Sequence, residues 1–180
     1  MFLLPGRRLT VKLAAVLVPL LGDPPDRVLL TRRAVHLSAH PDQVSFPGGR
    51  IDALDANPEA AALREAWEEI GLDSADVEII GHLPQRDTST GYLVTPVVGR
   101  VREGAVLSPA PGEVAEIFSL PLAVVLDPAA PERRRIRLAN AGSAGEDIWR
   151  EFWVWPHLTQ YIWGATAAIL VDLAEWLTAR

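Results

Sequence analysis

Three glutamates, Glu65, Glu68 and Glu69, stand at positions i, i+3 and i+4 of the run ALREAWEEIGL. On an α-helix those positions share one face. Three carboxylates on one face repel one another and weaken an isolated helix, so the pattern makes most sense around a positive group. Clustered oxygen ligands suit a hard divalent cation such as Mg²⁺ or Mn²⁺. The plainer reading of such a run is a solvated acidic face with Arg64 as its surface partner. The residues ahead of the helix bear on the choice, because the stretch opens on a glycine pair, Gly48-Gly49, and carries a further acid at Asp55.

Positioning these groups requires a helix with defined ends. Asn57 fits an N-cap, Pro58 the first turn and Glu59 the positive end of the helix. Ala60, Ala61, Leu63, Ala66, Trp67 and Ile70 supply apolar positions, and Gly71 a C-terminal cap. Upstream, residues 11–21 and 27–31 read as two strands of a hairpin across the Gly22-Asp23-Pro24-Pro25 turn. Gln43 to Phe46 is a short extended segment leading into Pro47-Gly48-Gly49. Downstream, strands are expected at 77–83, 93–101 and 116–120, and a short helix at 121–126. A second hairpin is expected between 133–138 and 148–155, and a last helix over 162–177. No repeat or long linker divides the chain. The expected architecture is α+β, a single domain over 1–180 with a mixed central sheet covered on both faces.

Composition narrows the function classes. The net charge is −6 and no long basic run occurs, which argues against nucleic acid as a partner. With no cysteine, disulfides, thiolate metal sites and a cysteine nucleophile are excluded. The apolar run 13–21 is too short to span a bilayer and is followed by no cleavage site. The expectation is a cytoplasmic protein without membrane contact, monomeric or homodimeric.

From Gly49 the order is a glycine, five residues, Asp55, eight residues, then Arg64-Glu65-Ala66-Trp67-Glu68-Glu69-Ile70-Gly71-Leu72. This resembles the signature of the Nudix hydrolases, matching the second half at every fixed position. It departs from that signature twice: the first acid is Asp rather than Glu, and eight residues rather than seven separate it from Arg64. The resemblance implies a Nudix-type α/β/α sandwich with additional antiparallel strands, and hydrolysis of a diphosphate linking a nucleoside to another group. A divalent metal would neutralise the diphosphate and activate water. Glu65 and Glu69 are the expected direct ligands, Glu68 the third, and the Gly49 carbonyl an additional one. Arg64 is expected to orient the carboxylates. Glu113 and Glu116, after the Pro111-Gly112 turn, are candidates for the general base, with ordinary surface charge as the alternative.

A second resemblance lies upstream. Leu29-Leu30-Thr31-Arg32-Arg33-Ala34, then Gln43-Val44-Ser45-Phe46-Pro47-Gly48-Gly49, is similar to the additional motif of the coenzyme A pyrophosphatase branch of that family. The usual glycine before the glutamine is Asp42 here. Segments 81–99, 113–122 and 162–170 also look like that branch. The resemblance implies cleavage of coenzyme A to 3′,5′-ADP and 4′-phosphopantetheine. Arg33 would meet a phosphate through its planar fork, or be a strand-end surface arginine. His40, Gln43 and Thr88 would line the pocket, or brace loops. Trp149, Trp153 and Trp155 share one strand face and read as core, with stacking on adenine as the alternative; Trp163 also reads as core. Arg133, Arg134, Arg135 and Arg137 form a basic cluster that would greet an extra phosphate or face water, and it is left without assignment. The rival readings are a pyrophosphatase for another nucleoside diphosphate, such as ADP-ribose or NADH, and a non-catalytic nucleotide-binding module. All three helix glutamates are present, which argues against the module.

Overall fold

A computed structural model describes residues 11–37, 40–138, 148–156 and 160–179. The chain opens with β1 (Lys12–Leu21) and β2 (Arg27–Arg33), followed by β3 (Val44–Ser45), β4 (Gly48–Arg50) and α1 (Pro58–Ile70). A single 3-10 turn then leads into β5 (Val77–His82), β6 (Arg86–Asp87), β7 (Tyr92–Val101) and β8 (Val114–Pro121). The last part holds α2 (Leu122–Val125), β9 (Glu132–Leu138), β10 (Ile148–Pro156), β11 (Tyr161–Trp163) and α3 (Gly164–Thr178).

The main sheet is mixed. β1 runs parallel to β7 from Lys12↔Tyr92 to Leu20↔Arg100, and its other pairings are antiparallel. The β1–β2 pair is a hairpin only at its closed end, where Leu20 and Leu21 meet Val28 and Arg27. Farther along, β2 pairs β3 through Thr31↔Ser45, while β1 pairs β4 through Ala15↔Gly49. The two strands therefore splay, and the segment 43–50 fills the gap between them. That wedge carries the glycine pair into the middle of the sheet.

Alternation along β1 sends Ala15 and Leu17 to one face and Ala14, Val18 and Leu20 to the other. Strands buried on both faces read as unbroken apolar runs, as AAVLVPLL does. Against the first face, α1 packs Ala61, Ala62, Ala66 and Ile70 onto Leu17, Leu29 and Val97. Against the second, α3 packs Ile169, Leu170 and Leu173 onto Val18, Leu30 and Val98. Each fully buried leucine contributes roughly 1.5–3 kcal/mol. The layers are helix, sheet, helix, as expected. A separate three-stranded antiparallel sheet, β9–β10–β11, joins α3 through the Trp155 indole, which donates to the Ala167 carbonyl at 3.0 Å.

The ends of α1 are those anticipated. Asn57 accepts from the Ala60 amide at 2.8 Å, Pro58 occupies the first turn, and Gly71 closes the helix in the left-handed region at φ 65°. Trp67 departs from its expected apolar role, since it is exposed. The helix docks through the arc Ala62–Ala66–Glu69, and Trp67 lies on the far side of that arc. The expected helix 162–177 begins only at Gly164, because Tyr161–Trp163 is drawn into β11 by pairing with β10. Among the described residues no helix is long and apolar enough to cross a membrane. The turn expected to close the hairpin between 133–138 and 148–155, at 140–147, lies outside the described residues.

Candidate active site

The docking arc of α1 grades its three glutamates. Glu69 lies at the centre of the arc, Glu65 at its flank and Glu68 at its edge; their side chains are 5%, 18% and 53% exposed. Burial pushes the Glu69 carboxyl up to about 7, against the pull of the Gly48 amide and Arg33. Burial raises Glu65 as well, with Arg64 opposing. Both shifts follow from the poor solvation of a buried carboxylate.

Glycine at positions 48 and 49 is required by close approach. A Cβ on Gly49 would fall 2.5 Å from the Glu65 carboxyl, and one on Gly48 would fall 2.5 Å from the Val16 Cα. The Gly48 amide donates to Glu69 Oε2 at 3.2 Å. Thus the glycine pair of β4 is a side-chain-free strip with two helix carboxylates directly against it.

Arg64 organises the rest. Its Nε and Nη2 donate to both oxygens of Asp55 at 3.0 Å, a bidentate fork. Nη1 donates to Glu65 Oε1 and Glu68 Oε2, each at 3.0 Å, and Nη2 also donates to the Arg50 carbonyl at 3.1 Å. Asp55 accepts the Asp52 amide at 2.8 Å. The fork with Arg64, and then the Asp52 amide, hold the Asp55 carboxyl below its ordinary range. Asp55 raises Arg64 in turn. The acid shortened from Glu to Asp still reaches its arginine, and the extra residue before Arg64 leaves the glutamate turn uninterrupted.

Among the described residues no three acidic or imidazole side chains form a ready-made cation cage. Glu65 and Glu68 are balanced by Arg64, whereas Glu69 is only partly balanced, with Arg33 Nη1 at 3.6 Å. The donor set is nonetheless all oxygen, hard and net negative, with a buried carboxylate held at a raised pKa. That fits a divalent ion of the Mg²⁺ or Mn²⁺ type.

On the opposite face of the sheet from α1 lies a cleft of 880 Å³. Arg33, His40, Gln43 and Thr88 all border it, as do Gly48 and Gly49. Buried Arg33 Nε has no hydrogen-bond partner. His40 stands at φ 53° and its Nδ1 donates to Gln43 Oε1 at 2.9 Å. Thr88 Oγ1 accepts the Tyr92 amide at 3.0 Å and so closes its own loop. Asp42 sits at φ 59°, which explains why a glycine is usual there; Arg32 holds its carboxylate at 2.9 Å. Arg32 also engages Glu116, whose Oε2 accepts from Arg32 Nε and Gln160 Nε2 at 3.1 Å each. Glu113 is exposed and close enough to Glu69 to raise its pKa. His36 and His82 are tied to the Gly112 carbonyl and to Glu59.

Sequence reasoning missed the second wall. Arg133, Ile136, Arg150, Phe152 and Trp163 come from β9–β11 and border the cleft. The expectation that the tryptophans are core holds for Trp155 alone of its trio. Trp149 is exposed beneath the Arg135 guanidinium, and Trp153 is partly buried, carries Arg133 at 4.5 Å and faces the cleft. Trp163 is 43% exposed and meets Phe152 edge-on. The reason is that β10 belongs to a sheet of its own, and it is Trp155 that α3 seats, through the Ala167 carbonyl. Arg86 also borders the cleft and was not anticipated.

A glycine strand in the middle of a mixed, helix-covered sheet, set against an ExxEE helix, defines a Nudix domain. The NUDIX domain pattern matches residues 11–139, and the chain belongs to the Nudix hydrolase family. It is 40% identical over 161 residues to a protein of Escherichia coli (strain K12) described as an uncharacterized Nudix hydrolase, NudL, covering 89% of this chain and 80% of that one. Among solved structures, RenU, a Nudix hydrolase from M. smegmatis, superposes with a TM-score of 0.53 at 24% identity, over 65% of this chain and 74% of that one. The binary complex of a C. elegans Ap4A hydrolase gives 0.52 at 18% identity, over 61% and 80%. At such identities the two structures speak for the fold.

Proposed function

We propose that this Nudix hydrolase is a coenzyme A diphosphatase that releases 3′,5′-ADP and 4′-phosphopantetheine. The observation that carries the reading is continuity. The segment resembling the coenzyme A motif, 29–49, borders the cleft with Arg33 and Gln43 and ends in the strand that touches Glu65 and Glu69. Residues that choose the substrate and residues that do the chemistry are one piece of chain.

In this reading Glu65, Glu68, Glu69 and the Gly49 carbonyl hold Mg²⁺ or Mn²⁺, which supplies charge neutralisation of the diphosphate and activation of the attacking water. Arg64, fixed by Asp55, sets the orientation of Glu65 and Glu68. Arg33, which borders the cleft, meets a phosphate oxygen through its guanidinium. Glu113 is the candidate to take the proton from water, since Glu116 is committed to Arg32 and Gln160. His40 and Gln43, hydrogen-bonded to each other, and Thr88 shape the cleft around the substrate.

The test is mass-spectrometric identification of products from coenzyme A in ¹⁸O-water with Mg²⁺ or Mn²⁺, beside ADP-ribose and NADH. Far faster turnover of ADP-ribose sinks the substrate assignment. No turnover of any of them points instead to a nucleotide-binding module. Full activity in Glu69→Gln sinks the metal assignment.

A further inference from the structure

An ion pair far from the glutamates is built into the same cleft. Asp172 lies in the middle of α3 beside Leu170 and Leu173, and it is buried. A carboxylate in such surroundings is strongly unfavourable unless matched. Arg86 matches it: Nε donates to Oδ2 at 2.7 Å, and Nη2 closes the second arm on Oδ1. As a source of stability the pair is poor, because apolar residues of equal volume serve as well or better. As a positioning device it is effective. Asp172 engages one edge of the guanidinium, fixes its plane and leaves the Nη1 hydrogens for another acceptor. Arg86 borders the cleft, so that acceptor has a place to sit.

Strand register fixes the distance from the chemistry. Arg86 pairs with Val94, Val94 with Ala14, and Ala14 with Arg50. Arg86 is therefore three strand spacings from β4, about 14 Å. Ala14 and Val94 lie between them as an apolar floor. At the β4 end, Arg33 stands beside Glu69. Arg33 and Arg86 thus stand at opposite ends of that apolar floor, with Arg133 and Arg150 on the facing wall, an arrangement complementary to a ligand with separated anionic groups.

We propose that Arg86, braced by Asp172, reads a phosphate monoester on the substrate away from the scissile diphosphate. The proposal rests on the reading of the cleft as a site for a nucleoside diphosphate derivative. It is tested on the metal-free full chain by calorimetric titration with 3′,5′-ADP and with AMP, which differ by one phosphate monoester. Wild type is expected to bind 3′,5′-ADP more tightly. Arg86→Gln is expected to lower the ratio of the two affinities about 10- to 100-fold, the scale of a charge-assisted contact. Arg86→Lys keeps the charge without the fork and should fall between. Asp172→Asn should lower the same ratio, because the guanidinium loses its brace. If Arg86→Gln does not fold, the Lys and Asn variants carry the measurement. An unchanged ratio in the variants, or no preference in wild type, overturns the proposal and leaves the pair as a brace between β6 and α3. Failure of the coenzyme A assignment reads out separately. If wild type cleaves NADPH and NADH but not coenzyme A, the ratio of kcat/KM for that pair, which also differs by one phosphate monoester, carries the same test.

Discussion

Replacing Gly49 with alanine separates chemistry from stability. The added Cβ would sit 2.5 Å from the Glu65 carboxyl, where ordinary contact begins at 3.4 Å, so the carboxylate must retreat by about 0.9 Å. Misplacing a catalytic group by about 1 Å costs on the order of 100-fold in rate. The fold should scarcely notice. The atoms displaced are the far end of a flexible side chain, and Gly49 is absent from the residues with positive φ. Exchange of Gly for Ala in such a backbone reduces unfolded-state freedom by about 0.4–1 kcal/mol, offsetting part of the strain. Gly48→Ala makes the contrast, because its Cβ would meet the Val16 backbone, which has nowhere to go; overpacking of that kind costs roughly 1–3 kcal/mol or more. The assay is kcat/KM on the diphosphate substrate with Mn²⁺, beside thermal unfolding of both variants. Expected are a loss near 100-fold with little change in Tm for Gly49→Ala, and a lowered Tm for Gly48→Ala. Full activity in Gly49→Ala, or an equal loss of Tm in the two variants, refutes the reasoning.

Glu69 gives the metal-free protein a pH dependence. Its folded-state pKa is raised to about 7, so the folded chain binds the proton more tightly than the unfolded chain. The corresponding stability is present below about pH 4.5 and is lost as pH rises through 7, by up to about 3 kcal/mol. Thermal unfolding in chelator should show wild type falling relative to Glu69→Gln between pH 5.5 and pH 8, and parallel curves contradict the burial argument. Asp55→Ala removes the fork behind Arg64 and should raise the Mn²⁺ concentration for half-maximal activity about 10- to 100-fold; an unaltered Mn²⁺ titration shows that Arg64 needs no anchor. Asp42→Gly relieves a left-handed residue but removes an ion pair to Arg32, and the two effects oppose. Its Tm should stay within a few degrees of wild type, and a larger fall means that the Arg32 contact dominates.

The glutamate helix α1 was legible because its signals are local. Asn57, Pro58 and Gly71 mark its ends, and the spacing of Glu65, Glu68 and Glu69 marks a face. What the spacing does not contain is the docking angle, and the angle decides that Glu69 is buried, Glu68 exposed and Trp67 turned to solvent. The role of Asp55 was hidden for a similar reason, since a fork to Arg64 depends on how an irregular loop folds back. The β9–β10 pairing was readable from its flanking strands, but its place as a wall of the cleft is a long-range property. Asp172 did leave a trace. It is an acid on the apolar face of α3, three positions after Ile169 and four before Trp176. Its partner, on a two-residue strand, left none.

The glycine strip is a window. Its two sides answer to different demands, because α1 packs against one and the cleft opens on the other. Side chains in the cleft can change in size and charge without disturbing the alanine packing that sets the carboxylates in place. A single reactive device can thus be fitted with new recognition surfaces, and a change of substrate need not retrace the folding problem that α1 has already solved.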